Sequence, residues 1–312
     1  MVFLTSPVTV AVPATSANLG PGFDSFGVAL SVHDEVTAVV AGDAVRVAVS
    51  GEGAGELPGD ERHLVAETML ITFGRLGVRP PGIELTCVNR IPQARGLGSS
   101  SAAIVAGILL ARQLVAGGPG RLGRAAVIRL AAEIEGHPDN VAPCVLGGFS
   151  IAWTIDAGPP DDGAHAVSLD DAKGVIPVIF VPGQRGYTAR ARAALPANVP
   201  LRDAAFNAAR TALLVRALTG TPELLFVATE DRIHQGYRAP AMPDTARLVA
   251  DLRAAGIAAV VSGSGPSVLA LVPDSQRLVT AAQRHCPDGW LARPVLVASD
   301  GAHVVPGPSG PS

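Results

Sequence analysis

The chain has 312 residues, of which 48% are hydrophobic and 16% charged. At roughly 150 residues per domain this length suggests two domains, and the apolar content argues against intrinsic disorder. The formal net charge is −3 and no basic cluster is present, so nucleic acid is not an expected partner. Lys173 is the only lysine, which excludes the P-loop consensus with its phosphate-binding lysine.

The cysteines and the N-terminus indicate the compartment. Cys87, Cys144 and Cys286 are widely spaced, so neither a disulfide framework nor a thiolate zinc site is expected. The N-terminus lacks the basic region of a secretory signal. No uncharged run makes a convincing membrane span of at least about 18 apolar residues. We therefore expect reduced thiols, a cytoplasmic setting and no membrane partner.

Hydrophobic periodicity and turn residues predict the elements. In chain order they are strands at Thr9–Val12, Val36–Val40 and Val45–Val49, with a turn at Gly42 and Asp43 between the last two, a helix at His63–Leu76, a strand at Ile83–Val88, helices at Ser99–Val115 and Arg124–Glu135, strands at Gly147–Ile155 and Val175–Val181, helices at Arg202–Leu218, Pro222–Thr229 and Pro243–Ala255, strands at Ala258–Val261 and Val268–Val272, a helix at Gln276–His285 and a strand at Trp290–Val297. Their irregular alternation favours an α+β fold. The Gly/Pro/Asp-rich stretch Asp156–Gly163 predicts a boundary between domains 1–157 and 158–300, followed by a disordered tail, 301–312.

The loop before the second predicted helix carries the strongest local chemistry. It reads Pro92-Gln-Ala-Arg95-Gly96-Leu97-Gly98-Ser-Ser-Ser101-Ala102. Its glycines let backbone N–H groups approach a ligand, and its serines are expected to cap the helix. A helix N-terminus favours phosphate, and serine hydroxyls suit phosphate or Mg²⁺. The alternative is an ordinary capped helix.

Three further segments contain residue patterns that bear on function. Gly118–Gly123 matches the GxGxxG pattern but follows a helix, so we interpret it as an interhelical loop. Glu133 and Glu135 end a helix, where a carboxylate could reach Mg²⁺ or simply be solvated. His137-Pro-Asp139-Asn140 places an imidazole, a carboxylate and an amide in one turn, which can position a hydroxyl and handle its proton or merely terminate the helix.

Three segments in this order resemble the GHMP kinases. They are PATSANLGPGFDSFG (Pro13–Gly27), the Pro92–Ala102 loop and SGSGPS (Ser262–Ser267). The first segment, HPDNVAP (His137–Pro143) and Thr188–Arg192 are similar to the subfamily that phosphorylates L-homoserine. The resemblance covers about residues 5–299. It implies a two-domain α+β fold, with a left-handed βαβ unit in the N-terminal domain, a ferredoxin-like C-terminal domain and a cleft between them.

The resemblance also implies the reaction and its participants. It implies transfer of the ATP γ-phosphoryl group to the side-chain hydroxyl of L-homoserine, in threonine biosynthesis, with Mg²⁺ as cofactor and a homodimer as the assembly. Phosphoryl transfer rests mostly on positioning and charge stabilisation. The expected nucleotide-binding residues are Pro92, Arg95, Gly96, Leu97, Gly98, Ser99, Ser100, Ser101, Ala102, Gly263 and Gly265. The expected metal ligands are Ser99 or Ser100 with Glu133.

The substrate is a zwitterion, so its two charges need opposite partners. By resemblance, Arg192 and Arg238 bind the carboxylate, and Asp24 binds the ammonium group. Asn18, His137 and Thr188 complete the polar contacts, while the Ser262–Ser267 turn closes over the site. For the attacking hydroxyl, Asn140 is favoured over Asp139 as the positioning group. The competing hypotheses are another small-molecule GHMP kinase, a non-catalytic ligand sensor of the same fold, and a generic α+β protein.

Overall fold

The computed structural model describes residues 2–156, 158, 162–169, 174–186 and 188–306. The strands within these residues are β1 (Val8–Ala17), β2 (Phe26–Val39), β3 (Val45–Gly51), β4 (Ile83–Asn89), β5 (Phe149–Ile155), β6 (Gly163–Leu169), β7 (Val175–Val181), β8 (Ala258–Val261), β9 (Val268–Pro273), β10 (Leu291–Pro294) and β11 (His303–Val305). The helices are α1 (Leu64–Arg75), α2 (Ser99–Leu114), α3 (Gly118–Arg121), α4 (Arg124–Glu135), α5 (Val141–Leu146), α6 (Thr188–Ala193), α7 (Leu201–Gly220), α8 (Leu225–Ala228), α9 (Gln235–Arg238), α10 (Pro243–Ala254) and α11 (Gln276–Gln283). Two short 3₁₀ turns, Pro222–Leu224 and Ala239–Ala241, join helices of the second half.

The first sheet has seven strands and is organised around β2. The path runs β11-β1-β2-β4-β3, and β5 and β6 extend it from the first residues of β2. β2 pairs antiparallel with β1, β4 and β5, whereas β3 and β4 are parallel. A parallel pair needs a crossover connection, and α1 provides it. The turn predicted at Gly42 and Asp43 therefore does not make a hairpin, because β4 lies between β2 and β3.

Helix α2 lies in the centre of the first domain. Eleven of its sixteen residues are buried, as its apolar, alanine-rich sequence predicts for a helix covered on most sides. It packs against α1, α4 and β1. This burial fixes the first turn of α2, and with it the serine-rich segment at its beginning.

The second sheet has four antiparallel strands in the order β10-β7-β9-β8. Numbered within this sheet, the order is 4-1-3-2, with helices after the first and third strands, which is the ferredoxin-like arrangement. The α+β class and the ferredoxin-like second domain are therefore confirmed. Within the described residues, no helix is long and apolar enough to cross a bilayer.

The two sheets share a hydrophobic core. Ile179, Leu269 and Leu271 of the second sheet belong to the same buried cluster as Leu30 and Leu110 of the first domain. The alternate residues of the same strands, such as Val178 and Phe180, pack against α10 and α11 in a separate cluster. Period-two burial thus joins one face of the second sheet to the first domain.

The structure differs from the sequence-based division at both ends of the second domain. β6, which follows the predicted boundary at 157/158, pairs with β5 along its length, so the first sheet extends to Leu169. β11 pairs with β1 inside the segment predicted to be a disordered tail, while 307–312 lie outside the described residues. β11 has only three residues, and glycine, alanine, histidine and serine make up most of β6, so neither shows a clear hydrophobic pattern. Sequence analysis also did not predict α5 or the first ten residues of β2.

Candidate active site

The loop between β4 and α2 faces a cavity of about 380 Å³ that both domains line. Gly98 is the N-cap residue of α2, with a φ angle of 70°, and no side chain caps the helix. The expectation that the serines cap the helix was therefore wrong: Ser99, Ser100 and Ser101 form its first turn. The N–H groups of a first turn have no intrahelical acceptor, and Ser99 and Ser100 line the cavity.

Glycine is required at residue 98 because the neighbouring strand approaches closely. A Cβ atom there would lie 1.9 Å from Oγ1 of Thr15. Thr15 Oγ1 in turn donates to Oδ1 of Asn140 at 2.8 Å. The loop, β1 and the His137–Asn140 turn are thus held in contact by a residue, Thr15, that sequence analysis did not select.

The turn between β8 and β9 closes on this loop, as the resemblance predicts. Ser262 Oγ donates to the carbonyl oxygen of Gly96 at 2.6 Å and lies 2.8 Å from Oγ of Ser16. The N–H of Gly263 donates to Ala17 O at 3.1 Å. A Cβ atom on Gly96 would lie 2.3 Å from the carbonyl oxygen of Ser262, so the two backbones pack with no room for a side chain.

Only part of the predicted nucleotide loop reaches the cavity. The predicted residues that line it are Gly96, Gly98, Ser99, Ser100 and Gly263. Leu97 and Ala102 are buried in the core, and Arg95 donates to the carbonyl oxygens of Pro182 and Gly183. Pro92, Ser101 and Gly265 also lie outside the lining. These residues support the loop from outside the cavity lining.

Glu135, not Glu133, lies beside the serines. Ser100 Oγ donates to Glu135 Oε2 at 2.8 Å, and Ser101 Oγ donates to Oε1 at 3.0 Å. Glu133 pairs with Arg75 on the exposed face of α4. Residues two apart on a helix point about 200° apart, so only one of the two can face α2. Glu133, the expected metal ligand, therefore faces away from the first turn of α2, and Glu135 is the carboxylate that contacts it.

The His137–Asn140 turn brings three polar side chains to the cavity. Asp139 is 3% exposed, and its Oδ1 lies 2.6 Å from Nδ1 of His137. Burial opposes protonation of His137, but the hydrogen bond to Asp139 and the negative charges of Asp139 and Glu135 together outweigh it and raise the pKa of His137. Asn140 Nδ2 lies 3.5 Å from the same Asp139 oxygen. Asp139 is thus hydrogen-bonded to His137, whereas Asn140 lies next to Gly98 in the loop between β4 and α2.

Asp24 and Arg192 form a bidentate ion pair at the rim of the cavity. Nη1 and Nη2 of Arg192 donate to the two carboxylate oxygens of Asp24 at 3.0 and 2.9 Å. Both side chains are partly exposed, and the hydrogen bond to Asp24 raises the pKa of Arg192. The two residues expected to bind opposite ends of a zwitterion bind each other here.

Asn18 and Thr188 lie between this ion pair and the β8–β9 turn. Asn18 donates through Nδ2 to Gly263 O at 2.9 Å and accepts the N–H of Asp24 at 3.0 Å. Thr188 Oγ1 lies 3.1 Å from Oγ of Ser264. Both residues line the cavity, and Asn18 fixes the backbone that carries Asp24.

Arg238 is a buried cation that lines the same cavity. It is 3% exposed, and burial lowers the pKa of its guanidinium, as does the positive charge of Arg192. Its guanidinium donates to the carbonyl oxygens of Ala191 and Gly263 and lies within hydrogen-bond distance of Nδ1 of His234. A buried guanidinium bonded to neutral acceptors retains its charge for an anionic ligand.

The opposite end of the cavity was not predicted. Its lining residues include Asp34, Leu57, Pro58, His63, Val65, Asn89 and Ala103. His63 accepts the N–H of Val65 at the start of α1. Asp34 accepts the N–H groups of Arg90 and Ile91 at 2.6 and 2.8 Å. The sequence around Asp34 carries no local signal of its burial or its partners, so sequence analysis did not select it.

Comparisons with known proteins identify the family of the chain. The profile of the GHMP kinases N terminal domain matches residues 63–148, and that of the GHMP kinases C terminal domain matches residues 209–288. The chain belongs to the GHMP kinase family. Kinases of this family use ATP as the phosphoryl donor, so the protein is an ATP-dependent small-molecule kinase.

Its relatives include homoserine kinases from two bacteria. It is 51% identical over 304 residues to that of Streptomyces avermitilis (97% of each chain) and 50% identical over 305 residues to that of Streptomyces coelicolor (97% of this chain, 96% of the other). The crystal structure of homoserine kinase from Cytophaga hutchinsonii aligns with a TM-score of 0.82 at 28% identity, covering 98% of this chain and 100% of that one.

Replacing Asp34 with Asn tests the cost of burying this carboxylate. Burial raises the pKa of Asp34 from 3.8 to about 6. A raised pKa contributes stability that is complete below 3.8 and is lost as the pH rises through about 6. A shift of two units corresponds to about 3 kcal/mol. We expect D34N to be more stable than the parent by about 1–3 kcal/mol near pH 8 and equal to it near pH 4.

Urea unfolding at both pH values measures this difference. The Asn oxygen can still accept the N–H groups of Arg90 and Ile91, so the comparison isolates the charge. An equal stability difference at both pH values would show that packing, rather than ionisation, distinguishes the two proteins.

Proposed function

We propose that the protein transfers the γ-phosphoryl group of ATP to the side-chain hydroxyl of L-homoserine. The observation that carries this proposal is the Asp24–Arg192 ion pair at the cavity rim, with the buried guanidinium of Arg238 beside it. A zwitterionic amino acid supplies one ammonium and one carboxylate group. It can replace the internal pair by placing its ammonium on Asp24 and its carboxylate on Arg192 and Arg238.

The two ends of the cavity fit the two substrates. In this proposal the polyphosphate of ATP lies on the N–H groups at the start of α2, where a helix N-terminus stabilises anions. The nucleoside lies against the end lined by Leu57, Pro58 and Val65. The acceptor amino acid lies at the end lined by Asp24, Arg192 and Arg238. Its hydroxyl lies beside Asn140, next to the loop between β4 and α2, which we call the phosphate loop.

The donor set beside the loop fits Mg²⁺. Glu135 supplies one carboxylate, and Ser100 supplies a hydroxyl within hydrogen-bond distance of it. Mg²⁺ in phosphoryl-transfer sites is held by one or two carboxylates together with phosphate oxygens and waters. When bound, the ion neutralises charge on the transferring phosphoryl group. Ser100 and Glu135 would hold it.

Asn140 is the residue that we assign to positioning the attacking hydroxyl. Its Oδ1 is engaged by the hydroxyl of Thr15, which orients the amide and leaves Nδ2 as the donor. Asp139 is engaged by His137 in a short contact and is almost fully buried. Positioning by an amide needs no dedicated base, and the proton then passes to the phosphoryl oxygens.

A substrate panel is the direct test of the proposed function. ADP release with Mg-ATP is measured with L-homoserine, L-threonine, L-serine, mevalonate and galactose. We expect strong turnover with L-homoserine and weak turnover with its shorter or branched analogues, because one methylene changes binding by about 1–3 kcal/mol. Preferred turnover of mevalonate or galactose would assign the pocket to another GHMP kinase activity. ATP binding without turnover of any alcohol would indicate a ligand sensor.

Variants at residues 139 and 140 test which of them serves the hydroxyl. We expect N140A to lower kcat by about 100-fold, the scale of a lost positioning contact, and D139N to lower it much less. Steady-state kinetics with saturating ATP and L-homoserine measure both. The reverse ranking would assign the hydroxyl to Asp139.

Glu135 and Glu133 form a matched pair for the metal assignment. We expect E135Q to raise the Mg²⁺ concentration needed for half-maximal activity by about tenfold or more, because a charged ligand is lost. E133Q removes only an exposed ion pair with Arg75, which contributes about 0–1 kcal/mol to stability. Activity titrated with Mg²⁺ at fixed ATP separates the two. Equal responses would remove Glu135 from the metal site.

Two further expectations belong to this proposal. A cytoplasmic setting is supported by the three cysteines, which are all free thiols in the described chain; burial raises the pKa of Cys87 to about 12 and also raises that of Cys144, so neither is reactive. The homodimer implied by the family resemblance stays a prediction.

A further inference from the structure

His234 is a buried histidine that the proposed chemistry does not use. Its side chain has no exposed surface. Nε2 lies 2.6 Å from the carbonyl oxygen of Gly20, and Nδ1 lies 3.2 Å from Nη1 of Arg238. The imidazole also stacks on the ring of Phe23, with centroids 5.2 Å apart. The ring therefore connects the loop that carries Asp24 to the buried guanidinium.

These two partners determine the protonation state of the imidazole. A carbonyl oxygen can only accept a hydrogen bond, so Nε2 carries the proton. A guanidinium can only donate, so Nδ1 is unprotonated. Burial lowers the pKa of His234 despite the nearby Asp231, which agrees with a neutral ring.

The charged groups around the ring do not change this assignment. Asp231 Oδ2 lies 3.6 Å from Nε2, but the same carboxylate accepts the backbone N–H groups of His234 and Gln235 and the amide of Asn207. Arg238 lies on the other side of the ring and opposes a second positive charge there. The neutral form with Nε2 protonated satisfies every neighbour.

We propose that His234 is a positioning residue that holds the guanidinium of Arg238 in the orientation that binds the substrate carboxylate. This inference rests on the proposed function, because it takes Arg238 as part of the carboxylate site. A carboxylate in place of His234 would also hold Arg238, but it would neutralise the charge that the substrate needs. A neutral imidazole accepts a hydrogen bond from Arg238 and leaves that charge available.

The same ring couples the two halves of substrate recognition. Gly20 belongs to the loop between β1 and β2 that presents Asp24, and a Cβ atom on Gly20 would lie 2.4 Å from the carbonyl oxygen of Thr229. The loop is thus pressed against the C-terminal domain at this point. His234 bridges the loop and Arg238, so it sets the distance between the ammonium site and the carboxylate site.

Two substitutions of His234 separate its hydrogen bonds from its volume. H234F keeps a ring against Phe23 and removes both nitrogen atoms. We expect it to raise KM for L-homoserine by about tenfold or more, with kcat changed less than about threefold and KM for ATP unchanged. H234Q supplies one amide acceptor and one amide donor, and we expect it to recover most of the loss. H303F, at an exposed histidine in β11, is the control for replacing a histidine.

A substrate analogue without the carboxylate distinguishes positioning from general damage. 3-Aminopropan-1-ol keeps the hydroxyl and the ammonium group of L-homoserine. We expect its inhibition constant against L-homoserine to rise much less in H234F than the KM for L-homoserine does. Equal weakening of the analogue and of L-homoserine, or an unchanged KM for L-homoserine in H234F, would overturn the proposal. Failure of the proposed function is seen separately, because the parent enzyme would then not turn over L-homoserine.

The tautomer itself can be read in the parent protein, without relying on the fold of any variant. We expect long-range ¹⁵N–¹H spectra at neutral pH to show one imidazole protonated at Nε2 and unprotonated at Nδ1, with its signal absent from H234Q. A His234 imidazole that is doubly protonated at neutral pH, or one protonated at Nδ1 alone, would contradict the hydrogen bond to Arg238.

Discussion

The contact between the β8–β9 turn and the phosphate loop is the constraint on which the rest of the site depends. The turn belongs to the second sheet and the loop to the first, and they meet backbone to backbone at Gly96 and Ser262. No side chain fits between them, so the loop conformation is determined by both domains together. The shared core beneath them has the same consequence, because residues of both sheets enter one buried cluster.

The two arginines that line the cavity differ in their exposure to solvent and in their hydrogen-bond partners. The partly exposed Arg192 pairs with Asp24, and this pair can be exchanged for a ligand with little change in solvation. The buried Arg238 is held by neutral acceptors, which are two carbonyl oxygens and the imidazole of His234. A buried ion pair would cost more to break, because each freed charge would lie away from water. The guanidinium of Arg192 is thus available to a ligand that takes the place of Asp24, whereas the guanidinium of Arg238 is already held in position without a carboxylate partner.

Sequence reasoning succeeded where chemistry was carried by contiguous motifs. The glycine loop, the HPDN turn and the glycine turn after β8 come together in the cavity with Asn18, Asp24, Thr188, Arg192 and Arg238. Sequence reasoning failed where the assignment depended on the direction in which a side chain points. Glu133 and Glu135 are equivalent in sequence, and only the rotation of α4 against α2 decides which one faces Ser100. Thr15 and Asp34 were missed because strand residues carry no local signal of what lies opposite them.

The position of Glu135 also explains how a chain with one lysine can hold a polyphosphate. Within the described residues, Arg192 and Arg238 are the arginines that line the cavity, and the proposed function assigns both to the amino-acid site rather than to the first turn of α2. A carboxylate there, hydrogen-bonded to Ser100, opposes the attraction of the helix N-terminus for phosphate. A divalent cation held by Glu135 would make the two compatible, because the carboxylate would hold the cation while the N–H groups hold the phosphate oxygens. In the proposed function, Glu135 would therefore favour metal-bound nucleotide over the free polyanion.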